Sequence, residues 1–197
     1  MKHFKLRTDL TKQFYGTTLY RIELTIDCKW GKVGDLGGYI EKEANLGNAW
    51  VSGDAQVYGN ARVYGNALVY GNAWVSGDAW VSGDARVSDN ARVSGDARVS
   101  GDARVSDNAR VSGDAQVSLK MAISKTSDIF MCTNFKYSIT ISLTGIIIGC
   151  KQYNDYKEYL KLSSADGKAN GYTDYDMKYL NTIVKNAITY MKKTKGN

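Results

Sequence analysis

Val51-Ser52-Gly53-Asp54-Ala55-Gln56 opens a run of eleven consecutive hexads that closes at Gln116, each a variant of Val-(Ser/Tyr)-(Gly/Asp)-(Asp/Asn)-Ala-x. Valine recurs without exception at 51, 57, 63 and every sixth position through 117, and alanine stands two residues before each valine. Chance does not produce such a period. Within a hexad, Ala-x-Val-(Ser/Tyr) sets a small residue inward, the next outward, a branched one inward and the next outward. That is the two-residue period of a short strand with one buried face. The pair that follows, Gly-Asp or Gly-Asn, is turn chemistry, because glycine takes positive φ and Asn or Asp satisfies the backbone locally. One hexad is therefore one strand and one corner. Alone it buries too little to be stable, so the strands must stack in parallel on those of the next turn. The reading is a parallel β-helix.

An aliphatic residue and a small residue recurring in every six positions resemble the hexapeptide-repeat proteins. The resemblance implies a left-handed parallel β-helix with three hexads per triangular coil, hence about four coils here. More narrowly, Tyr20-Arg21-Ile22 and Gly34-Asp35-Leu36-Gly37-Gly38-Tyr39-Ile40-Glu41 ahead of such repeats are similar to small polymer-forming, hexapeptide-repeat proteins of bacterial prophages. The expected fold is thus mainly β, with three parts: an N-terminal β-hairpin cap over 1–39, the β-helix over 40–123 and a small C-terminal α+β domain of ββα type over 124–197.

The flanks depart from the frame in readable ways. Ile40-Glu41-Lys42-Glu43-Ala44-Asn45 fits a hexad, but Leu46-Gly47-Asn48-Ala49-Trp50 is one residue short, which predicts an irregular first coil. Solenoids need such atypical units to cover the ends of their cores. Upstream, Leu19 to Ile26 alternates as a strand, and Trp30-Gly31 with Gly34 predicts a chain reversal toward the helix. Downstream, the frame decays through Val117-Ser118-Leu119-Lys120-Met121-Ala122-Ile123. Ile129 to Cys132, Tyr137 to Ser142 and Ile146 to Cys150 then read as two or three antiparallel strands, with a turn at Leu143-Thr144-Gly145. Asp155 to Leu162 and Asp174 to Lys193 carry helical spacing, with Tyr179, Leu180, Ile183, Val184, Ala187, Ile188 and Met191 on one stripe.

Composition narrows the function. With 43% apolar and 23% charged residues in 197, the chain reads as globular, not disordered. No apolar run is long enough for a membrane span, and Met1-Lys2-His3-Phe4-Lys5-Leu6-Arg7 is no signal core, so a bacterial or phage-infected cytoplasm is expected. Cys28, Cys132 and Cys150 are widely spaced and read as free thiols, without a disulfide framework or a zinc site. The one histidine, His3, lies outside the repeats. Many left-handed β-helices are acyltransferases with a histidine base, and residues 40–118 hold neither histidine nor extruded loop. A zinc anhydrase would need three histidines. The corner column Asp78-Asp96-Asp114 stacks carboxylates without the nine-residue calcium repeat, and Asp174 with Asp176 fits a helix N-terminus. The expectation is a non-enzyme with no cofactor or metal.

Charge is segregated. Residues 1–50 carry eight basic and six acidic groups, 51–118 six and eight, and 119–197 twelve and six. The tail bases are all lysine, with Lys185, Lys192, Lys193 and Lys195 near a helix end. With three hexads per coil, residues eighteen apart form outward columns: Trp50-Leu68-Arg86-Arg104, Gln56-Trp74-Arg92-Arg110 and Arg62-Trp80-Arg98-Gln116, with Tyr58, Tyr64 and Tyr70 beside them. The corner acids Asp84, Asp96, Asp102 and Asp114 are expected to intervene between stacked arginines. Exposed Trp50, Trp74 and Trp80 are interface anchors unless the terminal domains cover them. The aromatic and arginine columns, with Arg98 among them, are the candidate partner-binding residues. Three partner classes follow: a host protein or complex, such as a defence component inhibited by a prophage accessory protein; nucleic acid, through the arginines and lysine tail; and a second copy of the chain in a homo-oligomer.

Overall fold

A computed structural model describes residues 2–118, 121–124, 128–132, 139–148 and 151–195. Leu119 and Lys120 of the decaying frame, Tyr137 and Ser138 of the second tail strand and Cys150 of the third lie outside the described residues.

Every hexad forms a two-residue strand at x-Val, from Trp50–Val51 to Gln116–Val117, and those up to Arg104–Val105 each pair in parallel with the strand eighteen residues on. Three sheets result. The first face carries Ile40, Val57, Val75, Val93 and Val111; the second Leu46, Val63, Val81, Val99 and Val117; the third Val51, Val69, Val87, Val105 and Ile123. The alanines and these aliphatics fill the interior completely. Amide donors of one rung meet carbonyls of the next, as in Arg86 N–H to Ala103 O at 2.9 Å and Ser88 N–H to Val105 O at 2.9 Å. The corner glycines, such as Gly77 at φ +67°, adopt the left-handed conformation the turn requires.

The solenoid has five turns, one more than the about four expected, because β3 (Leu36–Ile40) and Leu46 complete a first coil and Ala122–Ile123 completes the last. The first coil is short by one residue, as the spacing predicts: Tyr39 pairs with Gln56 and Ile40 with Val57, whereas Gln56 pairs with Trp74. The shortening falls between Leu46, which pairs with Val63, and Trp50, which pairs with Leu68, and a 3₁₀ turn at Glu43–Asn45 precedes it. There the buried Asn45 amide donates to Gly59 O at 3.1 Å and Ala61 O at 2.8 Å, while its carbonyl accepts Lys42 N–H at 2.9 Å.

The first face continues upward as an antiparallel ribbon of β3 with β2 (Thr17–Leu24) and β1 (Phe4–Phe14). β1 was not legible as a strand. Lys5, Asp9 and Thr11 are exposed, and a register shift between Arg7 and Thr11 interrupts the alternation. Lys5 pairs with the buried Glu23 at 2.7 Å, and Arg7 pairs with both Glu23 and Asp9. These cations hold Glu23 below its ordinary value, and the Arg7 guanidinium lowers Asp9 to about 2.

At the lower end lies an antiparallel meander of four strands, Phe130–Cys132, Ile139–Ser142, Gly145–Ile148 and Lys151–Tyr153, one more than the two or three expected. α1 (Tyr156–Ala169) and α2 (Asp174–Lys195) pack on one side of it, against Ile139, Ile141, Ile146 and Tyr153. The other side closes the solenoid. Ile147 joins the Val–Ala core, Thr140 Oγ1 accepts Gln116 N–H at 3.0 Å, and Thr144 Oγ1 accepts Ala122 N–H at 3.4 Å. The tail is therefore a plug as well as an appended domain.

Candidate partner-binding faces

The outward columns form with the register that the six-residue period requires. Trp50, Leu68, Arg86 and Arg104 stack on the third face, Gln56, Trp74, Arg92 and Arg110 on the first, and Arg62, Trp80, Arg98 and Gln116 on the second. Rungs of parallel strands lie about 4.8 Å apart, so each side chain touches the ones above and below.

The aromatic members have different fates. Trp50, expected to be exposed, is 5% exposed. The cap covers it: the His3 ring lies 6.0 Å from the indole, Phe4 lies 5.4 Å from His3, and His3 Nε2 donates to Ala49 O at 3.1 Å. His3 thus ties the N-terminus to the first coil. Trp74 is half-buried, because Phe14 at the tip of the β1–β2 hairpin packs edge-on at 4.7 Å and also meets Tyr58 at 5.5 Å. Tyr70 is half-buried. On the second face no hairpin intervenes: Trp80 is 38% and Tyr64 39% exposed, 6.0 Å apart. The Arg62 and Arg98 guanidinium groups lie over the Trp80 ring at 5.9 and 5.4 Å, in cation–π range.

The arginines are exposed, and the aspartates do not intervene as expected. Among the described residues, Arg86, Arg92, Arg98, Arg104 and Arg110 form no ion pair within 4.0 Å. Asp84, Asp96 and Asp102 each lie two residues before an arginine and line the same cleft without pairing with it. One cleft of about 570 Å³ holds Arg62, Trp80 and Arg98 beside Asp78 and Asp96; another of about 430 Å³ holds Arg86 and Arg104 beside Asp84 and Asp102. Among the described residues no group of three or more His, Cys, Asp or Glu side chains could hold a metal ion, and Cys28 is a free, half-buried thiol. No helix is long and apolar enough to cross a membrane. On α2, Lys178, Lys185, Lys192 and Lys193 face outward with Tyr175 and Tyr179.

Phe14 and Tyr15 are the surface residues that sequence reasoning missed. Tyr15 is 83% exposed at the hairpin tip, with φ +45° beside Gly16 at φ +80°. The signal was the Phe14-Tyr15-Gly16-Thr17 turn, which reads as a two-residue hairpin only once β1 is known to be a strand.

The chain forms a solenoid with three hexads per coil. The repeat is similar to the YdcK Beta solenoid repeat. The family model of that description matches residues 55–71, 61–77, 67–83, 79–95, 85–101, 91–105 and 103–118. Every YdcK-type window begins on the alanine of a hexad and spans about one coil. Together the windows take in Trp74, Trp80 and the arginine columns, and leave outside them the cap, the shortened first coil and the helical tail. No curated protein matches the chain.

Proposed function

We propose that the chain is a non-catalytic scaffold that binds a partner protein or protein complex through the outward columns of its β-helix. The observation that carries this reading is the second face, where Trp80 and Tyr64 stay exposed between the unpaired guanidiniums of Arg62 and Arg98 while the chain's own cap covers Trp50 and part of Trp74. Trp, Tyr and Arg are the residues that dominate interface energetics, and a rigid lattice holds them at little entropic cost. The resemblance to prophage hexapeptide-repeat proteins makes the sharper reading a phage accessory protein in a bacterial cytoplasm, inhibiting a host defence component, on a left-handed helix.

Affinity capture from a bacterial lysate, with and without nuclease, tests the reading when read by mass spectrometry alongside light scattering of the pure protein. A discrete host protein that survives nuclease and is lost with Trp80→Ala is the expected result. Recovery of nucleic acid alone would move the function to the arginine columns and lysine helix as a nucleic-acid surface. Recovery of nothing but the chain's own oligomer would make it a self-assembling protein.

A further inference from the structure

Of the six unpaired arginines of the repeat, Arg92 and Arg110 stand apart; Arg62, with Asn60 two residues earlier, shares its cleft with Asp78 and Asp96. Arg86, Arg98 and Arg104 each have an aspartate two residues earlier, at Asp84, Asp96 and Asp102, lining the same cleft. Arg92 and Arg110 have Asn90 and Asn108 at that position. Asn90 is engaged within its own column, where its carbonyl accepts from Asn72 Nδ2 at 3.4 Å. The aspartates of these two hexads, Asp89 and Asp107, stand one position earlier and are hydrogen-bonded to serines. Asp89 accepts Ser88 Oγ–H at 2.7 Å and Asp107 accepts Ser106 Oγ–H at 3.0 Å, while Asp96 lies in the cleft of the second face. Arg92 and Arg110 pair in register on adjacent rungs, and Trp74 on the rung above sits 4.2 Å from the Arg92 guanidinium. Above Trp74 come Phe14 and then Tyr15, a strained left-handed tyrosine with its ring almost wholly in solvent. The first face is thus a narrow cationic stripe with an aromatic head.

We infer that this stripe docks an acidic polypeptide segment, carboxylates on Arg92 and Arg110 and an apolar side chain against Phe14 and Tyr15. The inference rests on the chain being a binding protein and names the surface and the chemistry of the partner. Two guanidiniums one rung apart match carboxylates carried on a polypeptide, as bidentate charge-assisted pairs. A polyphosphate fits poorly. The stripe is one side chain wide, the solenoid from 51 to 118 carries eight acids against six bases, and the corner carboxylates on either side repel a backbone that is charged along its whole length.

The test uses the full chain and a short fluorescein-labelled glutamate peptide ending in leucine and phenylalanine, followed by anisotropy, with a charge-matched oligothymidylate in parallel. Arg92→Gln/Arg110→Gln is expected to weaken the peptide at least tenfold, and Tyr15→Gly, which keeps the turn, to weaken it several-fold. Arg86→Gln/Arg104→Gln, which removes equal charge beside Asp84 and Asp102, should change it less than twofold. Unchanged circular dichroism and thermal midpoints verify that the variants are folded. Equal loss from both double variants would reduce the effect to net charge and overturn the inference, as would oligothymidylate binding as tightly as the peptide. No peptide binding by the wild type also overturns it; a host protein still captured in a Trp80-dependent way would then leave the scaffold reading intact, whereas no capture at all would remove that reading too.

Discussion

Replacing Gly77 by alanine separates two reasons for a glycine at every corner. The residue sits at φ +67°, and an added Cβ would lie 2.9 Å from Gly95 N, 3.2 Å from Gly95 O and 3.3 Å from Gly95 Cα. Left-handed backbone costs a non-glycine residue about 1 to 2 kcal/mol. Forcing a methyl against the backbone of the next rung adds about 1 to 3 kcal/mol, while the stiffer unfolded chain returns up to about 1 kcal/mol. Gly77→Ala should therefore destabilise by about 2 to 4 kcal/mol. Gly34→Ala is the control for conformation alone: φ is +91° and nothing lies within 4 Å of the added carbon, so about 1 kcal/mol is expected. Gly37→Ala is the control for contact alone, with its Cβ 2.6 Å from Val51 O at a backbone conformation open to any residue. The chain itself supplies a further comparison. Asp89 and Asp107 occupy left-handed corners, with their carboxylates bonded to Ser88 and Ser106, so Gly77→Asp beside Ser76 should cost less than Gly77→Ala. Urea unfolding with a common m value gives the three differences. If Gly77→Ala and Gly34→Ala agreed within about 0.5 kcal/mol, the contact between rungs would not be what selects glycine.

Trp50→Ala should cost about 3 to 5 kcal/mol, because it empties a buried site beneath His3, whereas Trp80→Ala should cost about 1 kcal/mol, the loss of two exposed cation–π contacts; chemical denaturation of both variants checks the order. Asn45→Ala should destabilise by about 2 to 4 kcal/mol by leaving Gly59 O, Ala61 O and Lys42 N–H without their partner, and Asn45→Asp should recover only the bond to Lys42, again read by denaturation. Asp9 and Glu23 are both depressed, so the native hairpin binds fewer protons than the unfolded chain; their contribution is present above the ordinary carboxylate value near 3.8 and is lost as pH falls toward about 2. Amide protection in β1, taken relative to the intrinsic exchange rate at each pH, should fall over that window, and the fall should shrink in an Asp9→Asn/Glu23→Gln variant; protection that did not change with pH would refute the linkage.

The hexads were enough to establish the strand, the corner and the parallel stacking, and with the three hexads per coil that the family resemblance implies they also gave the column in which each outward residue stands. The deletion between Asn45 and Val51 announced an irregular first coil in the same way. What a column member does was not legible. Trp50 and Trp80 carry the same residue in the same hexad position, yet one is buried and the other exposed, since the difference is made by His3 and Phe4, which bear no periodic relation to either. Trp74 depends likewise on Phe14, and β1 could not be recognised because a register shift between Arg7 and Thr11 interrupts its alternation. Asn90 and Asn108 were visible as breaks in the Asp pattern, but their meaning required knowing that each corner opens on the face that follows it. The sequence by itself determined the local period and hence the lattice, which is a matter of backbone geometry repeated. Only the tertiary structure decided which lattice points meet solvent, because covering is done by segments remote in the chain whose placement no period encodes.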